Sequence, residues 1–204
     1  MGKKPTSTDA TLHAFPTRAA PAAMEPQTLP PGKVELVRTY LEMLAPPHPW
    51  RGGSRNEATA IMRARHCTVS FYRYLYDSVG EQWLWYDRRR LAADALRAII
   101  QDERVEIYVL YVTGTPAGFG ELDRRQDDAI ELAYFGLLPE FIGRGLGPYF
   151  LHWLQDNAWS YSPRRLWVHT CNFDHPGAMA VYQRAGFEAY RQERLIIDAP
   201  KWPE

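Results

Sequence analysis

The sequence predicts an α/β domain from three observations. Apolar residues at helical spacing fill much of the stretch before Ile100. The period switches to two from Val105 onward. A glycine-rich passage then stands between the last of a run of strands and a further helix. The 204 residues are enough for one medium domain, and 46% apolar with 13% aromatic residues allow a large core.

Residues 1–32 are rich in Pro, Ala and Thr, as in PTRAAPAAMEPQTLPPG, and lack aliphatic periodicity. They read as a disordered leader without the apolar centre of a signal peptide. Met1-Gly2-Lys3-Lys4-Pro5-Thr6 fits a loose myristoylation pattern that is common by chance. Met24 is an alternative start. A single domain is expected over 33–204. It opens with KVELVRTYLEML, a strand whose end is also compatible with helix, followed by the loop APPHPWRGG.

Ala58 to Ile100 reads as helical with breaks, and LAADALRAII places Leu91, Ala95, Leu96 and Ile99 on one face. VEIYVLYV, AGFGELDRR and AIELAYFGLL are three strands joined by short turns, an antiparallel meander. A helix follows over roughly Pro148 to Ser160, then the strand RRLWVHTC. A short helix from Pro176 to Ala185 is closed by Gly186, and FEAYRQERLIID supplies the last one or two strands.

Several function classes recede on composition. Lys plus Arg equals Asp plus Glu at 24 each, which leaves no footprint for nucleic acid or an anionic membrane surface. No apolar run approaches bilayer length. Two cysteines, Cys67 and Cys171, make neither a disulfide framework nor a zinc knuckle and suit a reducing cytoplasm.

The informative passage is LLPEFIGRGLGPYF. Gly143, Gly145 and Gly147 alternate with other residues after a strand and before a helix. Glycine turns tightly and lets main-chain N–H groups approach a ligand. A helix start adds unpaired donors and a partial positive charge, so together they suit a phosphate or pyrophosphate. No Lys-Ser or Lys-Thr follows, so this is not a Walker loop. The preceding meander does not fit a Rossmann unit.

PEFIGRGLG resembles the acyl-CoA-binding motif of the GCN5-related N-acetyltransferases (the GNAT superfamily): Gln or Arg, two residues, Gly, one residue, Gly or Ala. Gly145 and Gly147 match, Pro139 and Glu140 fit the lead-in, and Ile142 stands where Gln or Arg is usual. WVHTCNFDHPGAMAVYQRAGFEAY is similar to the family's closing segment, with Asn172, Ala178, Tyr182, Gly186 and Phe187 in the motif positions. The likeness spans roughly Val105 to Tyr190. It implies a three-layer α/β/α fold on a mixed, mostly antiparallel sheet of six or seven strands. Two of these strands would splay to admit the pantetheine arm.

The same resemblance implies acetyl-CoA as cosubstrate, no metal, and a primary amine as acceptor, and it is compatible with a homodimer; the aromatic residues before Val105 favour a small-molecule acceptor. The acyl-CoA-binding residues would be Leu137, Leu138, Ile142, Gly143, Arg144, Gly145, Leu146, Gly147 and Pro148, with Asn172 bonding the pantetheine amides. An amine attacking a thioester needs a base, and the leaving thiolate an acid. Tyr182 is the candidate acid, since a phenol stays protonated at neutral pH. Glu131, at the position of the glutamate base in the histone-acetylating branch, is the candidate base. Glu121 on the preceding strand is its rival, and a water chain could replace either.

His169, Cys171, Asp174 and His175 suggest a metal set, which the resemblance disfavours, and either His could instead move protons. Phe71, Tyr72, Tyr74, Tyr76, Trp83, Trp85 and Tyr86 read as core packing or as an acceptor pocket. Arg88, Arg89 and Arg90 read as a solvated face, a 3′-phosphate site or an acceptor carboxylate site. The alternatives to a small-molecule enzyme are a protein or peptide amine acetyltransferase and a non-catalytic acyl-CoA sensor.

Overall fold

The structure, a computed structural model, describes residues 29–49, 58–83 and 85–199. Most of the expected 1–32 leader, with its myristoylation pattern and Met24, lies outside the described residues. Seven strands form one sheet in the order β2-β3-β4-β5-β6-β1-β7. They are β1 (Lys33–Met43), β2 (Thr59–Arg63), β3 (Val105–Val112), β4 (Thr115–Asp123), β5 (Ala129–Leu137), β6 (Arg165–Cys171) and β7 (Glu188–Asp198). The helices are α1 (Val69–Gly80), α2 (Ala93–Ile100), α3 (Leu146–Trp159) and α4 (Ala178–Arg184).

The meander β3-β4-β5 is antiparallel as expected, and among the described residues only β5 and β6 run parallel. β1 is strand to its end, pairing with β6 on one edge and β7 on the other. The segment expected to be helical from Ala58 instead begins with β2, an edge strand on β3. TAIMR is too short to show a period, and its pairing with β3 decides its state.

Why three layers form is visible in β3, which is buried on both faces. Val105, Ile107 and Val109 pack with α1 and α2, against Tyr72, Leu75, Tyr76, Val79, Leu96 and Ile100. Tyr108, Leu110 and Val112 belong to the opposite cluster, with Leu146, Phe150, Leu151 and Leu154 of α3 and Tyr182 of α4. The Thr68 side chain caps α1 by accepting from the Phe71 N–H at 3.2 Å. In α2, Leu96 and Ile100 are buried, while Ala95, expected on the inner face, is exposed. Among the described residues no helix is long and apolar enough to cross a membrane.

One polar joint crosses the α1 side of the core. Glu121 of β4 is fully buried, its carboxylate 2.6 Å from the Arg88 guanidinium and accepting from the Tyr72 hydroxyl. Arg88 thus does not lie on a solvated face. A buried carboxylate stripped of its partner is costly. Arg88→Met should therefore lower unfolding free energy by about 3–5 kcal/mol. Arg88→Met/Glu121→Met should recover most of that loss. Denaturant titration of both variants checks this, and a double variant no more stable than the single one would show that the stranded charge is not the cause.

Candidate active site

β5 and β6 share only three parallel pairs: Ala129 with Arg165, Ile130 with Leu166 and Glu131 with Trp167. Beyond them β5 runs on to Leu137 and β6 to Cys171 unpaired with each other. The cause lies in their other neighbours. β5 stays on β4 as far as Leu137 opposite Gly118, while β6 stays on β1 as far as Cys171 opposite Arg38. A bulge between Leu132 and Tyr134, where Glu121 and Leu122 stand opposite, bends β5 just past the last shared pair. Gly136 in the diverging stretch has no room for a side chain, since a Cβ there would lie 2.3 Å from Val79 Cγ1.

The wedge opens into a cavity of about 390 Å³. Leu132 to Leu137 form one wall, Val168 to Cys171 the other, and Val181 and Tyr182 of α4 stand beside them. At one end lies the glycine loop, which follows a single 3₁₀ turn over Pro139–Phe141. Gly145 caps α3 with φ +70°, a left-handed conformation that side chains resist. Ile142, Gly143, Gly145, Gly147 and Pro148 line the cavity, as does Leu137. Leu138 and Leu146 are buried in the core instead, and Arg144 lies over the Phe141 ring at 4.9 Å. These three support the loop without lining the cavity. Tyr76, Trp83, Trp85 and Tyr86 also line it as an aromatic wall, so the aromatics between α1 and α2 serve both core and cavity.

Tyr182 lines the cavity with only 6% of its surface exposed, its ring 6.2 Å from Phe135 and 5.8 Å from Phe187. Burial pushes its phenol well above the usual range, helped by the charge of Asp174. It therefore holds its proton at any ordinary pH. Glu131 does not line the cavity, but its Oε1 lies 3.4 Å from Nδ1 of His169, which does. Glu121 is walled off behind Tyr72 and Arg88; burial pushes its carboxyl up, against the pull of Arg88.

Asn172 requires a correction. Its side-chain oxygen accepts from the Val37 N–H at 2.8 Å and its NH₂ donates to the Glu35 carbonyl at 3.0 Å. The amide is turned onto β1, where it stitches β6 to the sheet, and it does not line the cavity as a pantetheine-bonding side chain was expected to. Asp174 is similarly structural. It accepts from Trp85 Nε1 at 3.2 Å, and from the Thr170 hydroxyl and the Cys171 N–H at 2.8 Å each. It thereby ties the aromatic wall to the end of β6. His175 accepts from the Gly177 N–H and packs its ring 5.2 Å from Trp83. The structure adds Arg38, Asp87 and Tyr134 to the cavity wall. Arg38 joins only because β1 lies beside β6, and no local pattern announces that.

Residues 68–187 match the Acetyltransferase (GNAT) family. Among solved structures the chain is similar to a conserved protein of unknown function from Staphylococcus epidermidis ATCC 12228, with TM-score 0.57 and 20% identity over 81% of this chain and 62% of that one. It is similar to a GCN5-related N-acetyltransferase from Sphaerobacter thermophilus, with TM-score 0.52 and 16% identity over 79% of this chain and 50% of that one. A third is the ribosomal-protein-S18-alanine N-acetyltransferase of Escherichia coli, with TM-score 0.52 and 18% identity over 64% of this chain and 78% of that one. At such identities the likeness is one of fold, and the chain spans less than two thirds of the first two structures. No curated protein sequence matches the chain.

Cys171 reports on the wedge. Burial, with the Asp174 charge adding to it, pushes its thiol up to about 11. A raised value keeps the unreactive protonated form through neutral pH, and the thiolate appears only as the pH nears that value. Alkylation of Cys171 by iodoacetamide should thus be slow at about pH 7.5 and rise roughly tenfold per pH unit toward pH 10. Peptide mapping by mass spectrometry measures it. Labelling at neutral pH as fast as free cysteine would show an open, solvated wedge.

Proposed function

The chain belongs to the GNAT acetyltransferase family, and on that premise we propose that it moves an acetyl group from acetyl-CoA to the primary amine of a small molecule, which attacks the thioester directly in the wedge between β5 and β6. The observation that carries this is the wedge itself, bounded by a glycine-capped helix start at one end and holding the buried Tyr182 on its wall.

The residues fit the cosubstrate. The main-chain edges of β5 and β6 part where an amide-bearing arm would run, and such edges seek hydrogen-bond partners. The start of α3, with glycine at its cap, suits the pyrophosphate. Acetyl-CoA, when bound, supplies the reactive thioester, and the protein supplies position and protons. Holding amine and thioester together contributes the largest share.

Tyr182 donates its proton to the departing thiolate. His169 takes the proton of the attacking amine, with Glu131 holding the ring and balancing the charge it acquires. Glu131 thus acts through His169, and Glu121 braces Arg88. The aromatic wall of Trp83, Trp85 and Tyr86 supports a small acceptor, for which stacked rings enclose an apolar body or an ammonium.

Release of free CoA from acetyl-CoA over a panel of amines, amino acids and short peptides tests the reading. Tyr182→Phe should lower turnover by about ten- to a thousandfold, as expected for losing a general acid. Acetyl-CoA affinity and thermal stability should stay near wild type, because the loop and the ring packing are untouched. Donors with more acidic leaving thiols should restore part of the rate. Full activity in this variant would remove Tyr182 from the chemistry, and a wild-type protein that binds acetyl-CoA yet acetylates nothing would point to a sensor.

The proton path has its own order of effects. His169→Gln should reduce turnover by about a hundredfold, and Glu131→Gln by less, both with the KM for acetyl-CoA unchanged. Steady-state kinetics decides: a larger loss in Glu131→Gln makes Glu131 the direct base.

A further inference from the structure

Two arginines among the described residues line the wedge, Arg38 and Arg184, and they belong to opposite faces of the sheet. β6 alternates. Leu166 and Val168 join the core that holds α3 and Tyr182 of α4, whereas Trp167, His169 and Cys171 turn the other way. Arg184, at the end of α4, therefore goes with Tyr182. Arg38 of β1 stands opposite Cys171 and Tyr40 opposite His169, and cross-strand partners share a face. Arg38 and His169 are thus diagonal neighbours, about 7–8 Å apart, and both border the cavity. Tyr134, whose ring lies 5.2 Å from Trp85, joins this face to the aromatic wall.

Arg38 is half-buried and forms no ion pair among the described residues. Glu193, its partner across β7, is engaged by Arg191 and accepts from the Tyr40 hydroxyl at 2.7 Å. Burial opposes the Arg38 charge, but the Tyr40 side chain and the charges of Asp87 and Glu193 outweigh it, so the guanidinium stays cationic. A cation with no carboxylate in contact, two strand positions from the candidate base, suits an acceptor that carries an anionic group.

We propose that the acceptor is a free α-amino acid, with its carboxylate on the Arg38 guanidinium, its amine at His169 and a large apolar side chain on the aromatic wall. This rests on the acetyltransferase reading and names the acceptor within it. A guanidinium fork matches the two oxygens of a carboxylate. In an α-amino acid the amine and the carboxyl hang from one carbon, with the nitrogen about 2.5 Å from the carboxyl carbon. Both therefore fit between two side chains that arise as diagonal neighbours. An amine at the far end of a side chain would be carried several bonds past His169. Trp83, Trp85 and Tyr86 enclose an apolar body, and Asp87 and Asp174 in the same cavity disfavour a second carboxylate. Arg38 exchanges no proton and acts on position alone.

Titration calorimetry on the full chain with free CoA present, using phenylalanine and phenethylamine, reads the site without catalysis. Phenethylamine has the same ring and amine and lacks the carboxylate. Phenylalanine should bind saturably and about tenfold or more tighter, the worth of a charged hydrogen bond. Arg38→Gln should cut that preference by about tenfold. Arg38→Lys keeps the charge without the fork, so it should fall between and guards against a fold defect in the first variant. Equal losses for both compounds in Arg38→Gln make Arg38 structural and overturn the proposal, as does a wild type that does not bind phenylalanine. Aspartate should bind at least about tenfold more weakly than phenylalanine; equal binding overturns the apolar side-chain assignment.

CoA release from acetyl-CoA with the same pair separates this proposal from the reading beneath it. The preference for phenylalanine should appear in KM more than in kcat. Release with phenethylamine and no preference for phenylalanine overturns the acceptor assignment and leaves acetyl transfer standing. Arg38-dependent binding of phenylalanine with no release from any acceptor supports the amino-acid site and overturns acetyl transfer.

Discussion

The parallel ladder between β5 and β6 ends at Glu131 and Trp167, and the rest of the molecule is arranged around that ending. Main-chain N–H and C=O groups seek partners wherever water is excluded. Two strands that stay zipped to their outer neighbours and unzip from each other present facing rows of such groups. The sheet divides into two halves joined at their base by the three shared pairs. One half is the meander β2-β3-β4-β5, braced by α1 and α2. The other is β6-β1-β7, and the two diverge beyond the last shared pair.

Holding the wedge open requires rigid walls, and the buried contacts supply them. The Glu121–Arg88–Tyr72 joint locks the segment after α1 onto β4. Asp174 reaches from the end of β6 to Trp85, so the aromatic wall is fastened to both halves. Asn172 fixes the tip of β6 to β1 in the same manner. Each is a polar group in a site where a sequence reader expects chemistry, and each is occupied by the framework. Tyr182, by contrast, has a buried ring and borders the space directly.

What the sequence made legible is local. The meander shows itself by alternation and short turns, the glycine loop by its punctuation, and Tyr182 by its place in a motif. What it hid is set by distant pairing. β2 could not be told from helix in five residues, because only β3 makes it a strand. Glu121 reads in sequence as a rival base, and only the fold sets Arg88, 33 residues earlier, against it. Asn172 looked like a ligand-binding amide until β1 was found beside β6, with Glu35 137 residues away as its acceptor. His169, weighed both as a metal ligand and as a proton carrier, has Nδ1 3.4 Å from Oε1 of Glu131, a contact that only the parallel pairing of β5 and β6 creates.

The position of β1 also governs the order in which the molecule can assemble. It lies between β6 and β7, and its first residue, Lys33, pairs with Asp198, 165 residues further along the chain. Such contacts close a long loop and form late, since loop-closure entropy opposes them until other structure is in place. During synthesis the meander can collapse on α1 and α2 while β1, made before it, waits with both edges bare. A ribosome-bound chain lacking β7 would have one β1 edge covered by β6 and the other exposed, prone to pairing with its neighbours.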